Sequence, residues 1–475
     1  MCGITVSLHT KFNLHQSLAK IKHRGPDADG VFENQHIQFG HVRLSIFDLT
    51  DGANQPFENA VNGSVLVFNG EIYNYKELRK ELESGHQFQT LSDTEVLFVG
   101  LQRYGIDYVH KLQGMFAFAF YDGISKKSFL ARDRFGIKPL YIKRDGEGFL
   151  FGSEIKAILT SNFTVDSINQ KLLSEFIYHR RLDHTNQTFY KGIEQLPMGS
   201  YLSYDHNTLE DTLVKYYDIP CFGKGNKDFY PEELNTKIVD TVQSHLQADV
   251  PVGSFLSGGI DSSIVSHVMS RLTSEVATLS GRTVYEHEEN KLIDTYLKEH
   301  PNTKSIQYTL DGTHFNEEIF NVIAHHGETI LDGSMFSHYM LCKKAKENGL
   351  KVVLSGSGGD EVFGGYESHS IGFLSDQVAN FQLKELRQKL AKYAGFHHQN
   401  NKSILPKISA EFTSQRIKNR IKNMIKNSML LTIEKENEFF HTTCSTYSGK
   451  AFERSLKYYT VPPYLHYEDR NISVC

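Results

Sequence analysis

The sequence predicts two domains of different classes, an α+β half rich in strands and then an α/β half built on a parallel sheet. With 475 residues the chain is too long for one compact core. Its first two hundred residues contain short apolar runs separated by turn residues, a pattern typical of strands. Beyond residue 231 short apolar runs, glycine loops and longer helical patterns alternate, as in parallel sheets. We therefore expect domains at 2–210 and 232–475, joined by a linker at 211–231.

The composition is typical of a globular enzyme and excludes several other classes. Hydrophobic residues make up 39% and charged residues 23% of the chain, and a net charge of −5 argues against a nucleic-acid or membrane partner. The sequence contains no apolar run of about 18 residues and no signal peptide. The cysteines are few and far apart, which favours a reducing compartment; they are Cys2, Cys221, Cys342, Cys444 and Cys475. We expect a cytoplasmic enzyme.

Hydrophobic periodicity assigns the individual elements. Apolar runs predict strands at Ser64–Asn69, Gly114–Asp122, Ser128–Arg132, Phe149–Gly152, Val252–Leu256 and Lys351–Leu354. Apolar residues on one face predict helices at Tyr75–Glu83, Thr94–Tyr104 and Ser263–Leu272, and a basic surface helix at Arg416–Lys426. The stretch Pro220–Pro231 is rich in Gly, Pro and Lys and forms the core of the predicted linker.

Cys2 follows the first methionine and is a candidate nucleophile. Removal of Met1 would leave a thiol and a free α-amine on one residue. Because that amine titrates at about pH 8, it can accept the thiol proton near neutral pH without a histidine. A cysteine at this position also occurs by chance, so the prediction depends on motifs further along the chain.

Three motifs downstream of Cys2 suit the binding of an amino acid and an oxyanion. A predicted strand closed by a polar turn offers the Asn69 amide and the Gly70 N–H to an oxyanion. Arg43, expected at a strand start, suits a bidentate grip of a carboxylate. Asp93, at a predicted helix N-terminus, can cap the helix or hold an ammonium group. An amino-acid substrate needs both a cation and an anion of this kind.

These motifs, together with His23–Asp27, Arg132–Tyr141 and Phe151–Leu159, resemble the class II glutamine amidotransferase domain of the N-terminal-nucleophile hydrolase type. The resemblance implies an αββα sandwich, in which two antiparallel sheets lie between helices. It also implies that glutamine is converted to glutamate and ammonia through a thioester on Cys2, with Asn69 and Gly70 as the oxyanion hole. The residues that would hold glutamine are Arg43, Leu44, Ile46, Asn69, Glu71 and Asp93.

Two glycine loops follow predicted strands in the second half. Ser257–Ser263 (SGGIDSS) leads into a helix, and backbone N–H groups in such a loop suit a phosphate. It lacks the Gly-Lys-Ser/Thr of a Walker A loop. The loop Ser355–Glu361 would lie beside it at the carboxyl ends of parallel strands, which makes a crevice for one nucleotide. Asp261 and Asp360, one in each loop, are candidate Mg²⁺ ligands.

The SGGIDSS loop resembles that of enzymes that cleave ATP between the α and β phosphates. Because this loop follows an amidotransferase-like half along the chain, the whole sequence resembles the asparagine synthetase (glutamine-hydrolysing) family over nearly its whole length. The resemblance implies an α/β ATP-pyrophosphatase domain that adenylates a carboxylate, aspartate by default, for attack by internally transferred ammonia. Glutamine, ATP and the acceptor would be the partners, Mg²⁺ the cofactor and a homodimer the candidate assembly. The implied ATP contacts are Leu256, Ser257, Gly258, Gly259, Asp261, Ser262, Ser355 and Gly356.

Two departures from the family leave alternatives open. The second loop of the family usually reads Ser-Gly-Glu-Gly, and Ser357 replaces its carboxylate with a hydroxyl that cannot act as a carboxylate base. An enzyme that amidates another carboxylate, such as a sugar acid or a biosynthetic intermediate, is therefore one alternative. The segment Tyr464–Ser473 resembles the start of a longer family segment that contains a late lysine. A chain ending at Cys475 could be C-terminally truncated, keep glutaminase activity and lose synthetase activity, which is the second alternative.

Overall fold

The computed structural model describes residues 1–160, 167–220, 230–284, 288–396, 404, 406–409, 444 and 446–474. Contacts divide the chain into two compact units. The first unit comprises Met1–Asp218, Tyr230–Ser357 and Pro462–Cys475, and the second comprises Ile219–Phe229 and Gly358–Val461. The predicted helix at Arg416–Lys426 and residues 221–229 of the predicted linker lie outside the described residues. The domain boundaries proposed from the sequence stay predictions.

The N-terminal part of the first unit contains two six-stranded antiparallel sheets. Sheet A has the strand order β10-β8-β9-β1-β3-β2, and sheet B has the order β12-β11-β7-β6-β5-β4. The strands are β1 (Gly3–Leu8), β2 (Ala28–Glu33), β3 (Ile37–Arg43), β4 (Phe57–Asn59), β5 (Ser64–Ile72), β6 (Gly114–Asp122), β7 (Lys127–Arg132), β8 (Tyr141–Asp145), β9 (Gly148–Gly152), β10 (Ile193–Gln195), β11 (Ser200–Asp205) and β12 (Asp211–Lys215).

The two sheets pack face to face between helices. Residues of β1 such as Val6 and residues of β5 such as Val67 share one buried cluster, which is the interior of the sandwich. Helices cover the outer faces of the sheets; they are α1 (Leu14–Lys20), α2 (Tyr75–Leu82), α3 (Asp93–Tyr104) and α4 (Ile155–Ile158). Helix α5 (Gln170–His179) follows α4 along the chain. Leu18 and Ile158 pack outside sheet A, and Leu78 and Val96 pack outside sheet B. This layering confirms the expected αββα sandwich.

Two local expectations about this half are wrong. β5 extends to Ile72, so Asn69 and Gly70 lie inside a strand and pair with Ala117 and Phe116 of β6 instead of forming a turn. Arg43 is the last residue of β3 and does not begin a strand. Strand pairing sets both boundaries: β5 pairs with β6 through Ile72, and β3 pairs with β2 through Arg43. A single apolar run does not reveal these partners.

The second part of the first unit is a parallel sheet flanked by helices, as expected. Its four strands have the order β15-β14-β13-β16 and are β13 (Val252–Phe255), β14 (Val276–Thr283), β15 (Thr303–Leu310) and β16 (Val352–Leu354). The helices of this part are α6 (Pro231–His245), α7 (Ile260–Leu272), α8 (Glu288–Glu299), α9 (Gly312–His326) and α10 (Gly333–Glu347). The strand order reverses between β13 and β16, and ligands of parallel sheets bind at such a point, beyond the carboxyl ends of the strands.

The described part of the second unit contains helices joined by short connections and no strand. Its helices are α11 (Gly359–Phe363), α12 (Glu367–Ala379), α13 (Leu383–Phe396) and α14 (Tyr447–Arg454). Asp376 of α12 accepts the backbone N–H groups of Tyr447 and Ser448 at 2.7 and 3.0 Å, which fastens α14 to α12. A last helix, α15 (Val461–Ile472), leads back into the first unit. None of the helices in the described ranges has the length and apolar character needed to cross a bilayer.

Candidate active sites

A cavity at the start of β1 brings together all the residues that the sequence predicts for glutamine hydrolysis. Its lining includes Cys2, Arg43, Leu44, Ile46, Asn69, Gly70, Glu71 and Asp93. The cavity measures about 50 Å³ with Met1 in its wall, which is room for a few water molecules only. A glutamine molecule would therefore need the space that Met1 now fills.

Cys2 lies directly before β1, in the centre of sheet A. Its thiol donates to the carbonyl of Leu44 at 3.7 Å, and its own carbonyl accepts a hydrogen bond from Arg24 Nε at 2.9 Å. Burial raises the pKa of the Cys2 thiol, against the opposing effect of the N-terminal amine. Burial also lowers the pKa of the Met1 α-amine to about 5. A group that favours the thiolate must therefore lie very close to the sulfur.

Asn69 and Gly70, the predicted oxyanion donors, both line the cavity. Asn69 is buried, and its Nδ2 has no hydrogen-bond partner among the described residues. A buried amide without a partner is costly, so it suits a ligand oxygen that arrives with the substrate. At Gly70 a Cβ would lie 2.2 Å from the Met115 carbonyl oxygen and 2.7 Å from the Phe116 Cα. Only glycine lets β5 pair this closely with β6 beside the cavity.

Arg43 lines the cavity, but its guanidinium is held by the loop that follows β3. Nη1 donates to the carbonyl of Thr50 at 2.9 Å and to Asn54 Oδ1 at 2.7 Å. Nη2 donates to the carbonyls of Phe47, at 3.1 Å, and Asp48. These four bonds use every N–H of the two terminal nitrogens. A bidentate grip of a carboxylate would therefore require residues 47–54 to release some of them.

Asp93 is the first residue of α3, and Ser92 caps the helix instead by accepting from Glu95 N at 3.3 Å. Asp93 Oδ2 accepts from the backbone N–H of Ile72 at 2.9 Å. Burial is the main reason that the pKa of Asp93 rises to about 7, and the nearby Glu71 adds to the rise. Asp93 is thus free of the capping role and is available to an ammonium group.

Two further residues line the same cavity without having been singled out from the sequence. Gln55 exchanges two hydrogen bonds with the backbone of Phe68, at 2.6 and 3.1 Å, and so braces the strand that holds Asn69. Lys138 is buried, and burial lowers its pKa against the effect of Asp469. Lys138 belongs to the RDRFGIKPLY segment, whose resemblance to the family could have identified it as a site residue. Nothing in the sequence distinguishes Gln55.

The first glycine loop of the second half connects β13 to α7 and is folded by its own serines. Ser262 Oγ accepts the Ser257 N–H at 3.2 Å and lies 3.0 Å from Ser257 Oγ. Gly258 has φ +80°, a conformation that favours glycine. Leu256, directly after β13, is buried, and its N–H donates to the Leu279 carbonyl at 2.9 Å. The loop therefore presents Ser257, Gly258 and Gly259 in front of the N-terminus of α7, where an anion is favoured.

The second glycine loop follows β16 and packs against the first. A Cβ on Gly356 would lie 2.7 Å from Ser262 N and 3.0 Å from Asp261 Cβ. Since β13 and β16 are parallel neighbours, Ser355 and Gly356 reach the same sheet edge as the first loop. All eight residues predicted to contact ATP thus lie on these two adjoining loops or in the first turn of α7.

The residues predicted as Mg²⁺ ligands lie in different units. Asp261 is in the first turn of α7, next to Gly356. Asp360 is in the first turn of α11 in the second unit, where a Cβ on Gly365 would collide with its carboxylate. Among the described residues no group of three or more His, Cys, Asp or Glu is arranged to hold a metal ion. Mg²⁺ commonly binds one or two carboxylates together with substrate phosphates, so Asp261 on the phosphate loop fits that ion.

A buried network of charges ties α15 to the amidotransferase half. Arg24 Nη1 lies 2.8 Å from Asp469 Oδ2 and 3.1 Å from Glu154 Oε1. Arg470 Nη1 lies 2.9 Å from Glu154 Oε2, and Lys138 Nζ lies 3.8 Å from Asp469 Oδ1. Burial alone would raise the pKa of Glu154, but Arg470, with other basic neighbours, holds it well below its usual value. The network reaches the carbonyl of Cys2 through Arg24.

Both halves of the chain are similar to known proteins. The family model described as glutamine amidotransferase domain matches residues 1–217, and the model described as asparagine synthase matches residues 233–457. Asparagine synthetase [glutamine-hydrolyzing] 1 of Bacillus subtilis is 34% identical over 351 residues, which are 73% of this chain and 54% of that protein. A Methanocaldococcus jannaschii protein provisionally named asparagine synthetase [glutamine-hydrolyzing] 2 is 33% identical, over 80% of this chain and 78% of its own.

A third relative and one solved structure also align with this chain. Asparagine synthetase B of Escherichia coli is 34% identical over 73% of this chain and 60% of its own length. The chain therefore spans between about half and four fifths of these relatives. The structure of Bacillus subtilis glutamine phosphoribosylpyrophosphate amidotransferase, with ADP and GMP, aligns with 58% of this chain and 65% of its own. Its identity of 17% and TM-score of 0.34 are too low to bear on the fold.

Proposed function

The chain belongs to the asparagine synthase family whose members carry an N-terminal glutamine amidotransferase domain, and we propose that it is a glutamine-dependent, amide-forming ligase. In this proposal the first half hydrolyses glutamine and the second half uses ATP to adenylate a carboxylate. Ammonia from the first reaction then attacks the acyl-adenylate. Aspartate is the default acceptor, which would give asparagine, AMP and pyrophosphate.

The observation that best supports the glutaminase step is the position of Cys2 beside a buried amide that lacks a partner. Once Met1 is removed, the α-amine of Cys2 would lie on the same residue as the thiol and could take its proton. The thiolate would attack the side-chain amide carbon of glutamine. Asn69 Nδ2, which has no partner among the described residues, and the Gly70 N–H would then stabilise the oxyanion of the tetrahedral intermediate.

Charges around the cavity support an amino acid as the substrate. Asp93 would bind the ammonium group of glutamine. Arg43 would bind its carboxylate after residues 47–54 release part of the guanidinium, and Glu71 lies in the same wall. Leu44 and Ile46 provide the apolar part of the lining. These roles follow the sequence resemblance, and the lining of one cavity by all of these residues supports them.

The adjoining glycine loops support ATP as the second substrate. The loop before α7 would bind the pyrophosphate part of ATP through its N–H groups, and Leu256, Ser355 and Gly356 would contact the rest of the nucleotide. Mg²⁺ held by Asp261, with Asp360 as the second predicted ligand, would neutralise phosphate charge. No lysine of the Walker type is needed, because the bond cleaved is between the α and β phosphates.

The direct test uses the purified chain, after mass spectrometry has verified that Met1 is removed. Glutamine, ATP, Mg²⁺ and aspartate should yield glutamate, asparagine, AMP and pyrophosphate in equal amounts. Aspartate-dependent exchange of pyrophosphate into ATP tests the adenylation step alone. Exchange with another carboxylic acid but not with aspartate would replace aspartate as the acceptor, a change that Ser357 makes worth testing. Glutaminase activity without exchange for any acid would contradict the ligase.

A further inference from the structure

Glu468, on α15, faces the second glycine loop. Its Oε1 accepts hydrogen bonds from Ser355 Oγ, at 3.2 Å, and from Ser357 Oγ. The backbone N–H of Ser357 in turn donates to Ser355 Oγ at 3.2 Å. The carboxylate is therefore attached to the loop by two side chains and does not merely lie near it.

The position of this loop places the carboxylate at the predicted nucleotide crevice. Gly356, between the two serines, packs against Ser262 N at the start of α7. The loop follows β16 at the reversal of strand order, where parallel sheets bind their ligands. Glu468 is only partly buried, so a ligand can reach it. A carboxylate at this position is bound to the second of the two loops that would hold an acyl-adenylate.

The neighbours of Glu468 on α15 keep it in place. Asp469 and Arg470 are buried in the ion pairs with Arg24 and Glu154. Asn471 Nδ2 donates to the Met335 carbonyl at 3.1 Å, and Asn471 Oδ1 lies 2.8 Å from His326 Nε2. A helix held on several sides presents its next side chain with little freedom, as an acid–base group requires.

We propose that Glu468 is the base of the amide-forming step, an inference that rests on the proposed function. The nitrogen of ammonia attacks the carbonyl carbon of the acyl-adenylate and forms the C–N bond. The nitrogen then carries one proton too many, and the Glu468 carboxylate accepts it. The C–O bond to AMP breaks next, and AMP leaves with the electron pair. Amide, AMP and protonated Glu468 balance the step.

This assignment explains what Ser357 does. Its hydroxyl cannot act as a carboxylate base, but it binds a carboxylate supplied by another segment of the chain. The loop and α15 together therefore provide the group that the loop alone lacks. Ser357 is a positioning residue in this scheme, and Glu468 is the group that touches the reacting nitrogen.

The test separates the two halves of the ligase reaction in the full chain. Glu468→Gln keeps an acceptor oxygen for both serines but removes the base. With ammonium chloride in place of glutamine, we expect its asparagine formation to fall about 10²–10⁴-fold, while aspartate-dependent exchange of pyrophosphate into ATP stays within about twofold. The double variant Ser357→Glu/Glu468→Gln should recover about tenfold or more. Glu347→Gln, an exposed carboxylate on α10, is the matched control and should change neither reaction.

Each outcome is decisive. Glutaminase activity in the same preparations reports that the variants fold. Unchanged amide formation in Glu468→Gln would overturn the role of Glu468 as a base. An equal loss of pyrophosphate exchange and amide formation would overturn it too, because that result would mean that Glu468 only supports the structure of the loop. Absence of exchange and of amide formation in the unmodified chain would overturn the proposed function, and this inference with it.

Discussion

Arg24 joins Asp469 of the last described helix to the residue predicted to be the nucleophile. Its Nη1 lies 2.8 Å from Asp469 Oδ2, and its Nε donates to the Cys2 carbonyl at 2.9 Å. Both charged side chains are essentially inaccessible to solvent. A segment more than 400 residues along the chain thus buttresses the start of β1. The last helix is part of the glutaminase architecture as well as of the second half.

Asp469→Asn tests how much this buttress contributes to stability. It removes the charge that faces Arg24 in a buried site, so we expect the free energy of unfolding to fall by about 3 kcal/mol, with Glu154 still beside Arg24. Urea titration measures this value. The control is Asp29→Asn, which breaks an exposed pair with Lys22 and should cost less than about 1 kcal/mol. Equal effects of the two substitutions would contradict the buried network.

Cys2→Ala tests the nucleophile. We expect it to abolish glutamine hydrolysis, since Cys2 is the one thiol of the described residues that lines the cavity, and to leave ammonia-dependent amide formation intact. Cys342→Ala, at a buried thiol on α10, serves as the control and should keep glutaminase activity. Release of glutamate from glutamine is the measurement. Glutaminase activity that survives in Cys2→Ala would rule out the assignment.

Asn69→Ala tests the oxyanion hole. Removing one preorganised donor costs about 10²–10³ in kcat in acyl-transfer enzymes, whereas the KM for glutamine should change little. Stability should change little too, because Nδ2 makes no hydrogen bond to a described residue. A loss confined to KM would mean that Asn69 binds substrate and does not stabilise charge.

Gly70→Ala tests the close pairing of β5 and β6. The added methyl group would lie 2.2 Å from the Met115 carbonyl oxygen, so the strands must separate beside the cavity. We expect a loss of both stability and glutaminase activity. Gly312→Ala is the control, because a Cβ at this exposed first residue of α9 would have no described atom within 4 Å. Wild-type activity in Gly70→Ala would contradict the tight register.

Local motifs were sufficient to predict that Cys2, Asn69, Gly70 and Asp93 line one cavity, although the sequence misplaced Asn69 and Gly70 in a turn after the strand. Local motifs were not sufficient to predict which distant residues contact the site. The contacts of Arg24 with Asp469 and of Ser357 with Glu468 join segments that only the folded chain brings together. The capture of the Arg43 guanidinium by residues 47–54 has no sequence signature either, because backbone carbonyls accept its bonds.

The raised pKa of Asp93, about 7, predicts a pH dependence. The pKa of Asp in the unfolded chain is about 4, so between these values the folded state binds the proton more tightly. The free energy of unfolding therefore falls as the pH rises from about 4 to about 7. Above about pH 7 the ionisation of Asp93 lowers it no further. Asp93→Asn removes this effect and should be more stable than the unmodified chain at pH 8, with the advantage shrinking toward pH 5. Urea titrations at several pH values measure it.

The same ionisation should control the binding of glutamine. Only the charged form of Asp93 attracts an ammonium group, so kcat/KM for glutamine should rise as the pH passes through about 7. In Asp93→Asn that rise should disappear and kcat/KM should be low at every pH, although the protein is more stable at pH 8. Opposite effects on stability and activity are expected of a buried charge kept for binding. A variant that follows the unmodified pH profile would show that Asp93 does not hold the substrate.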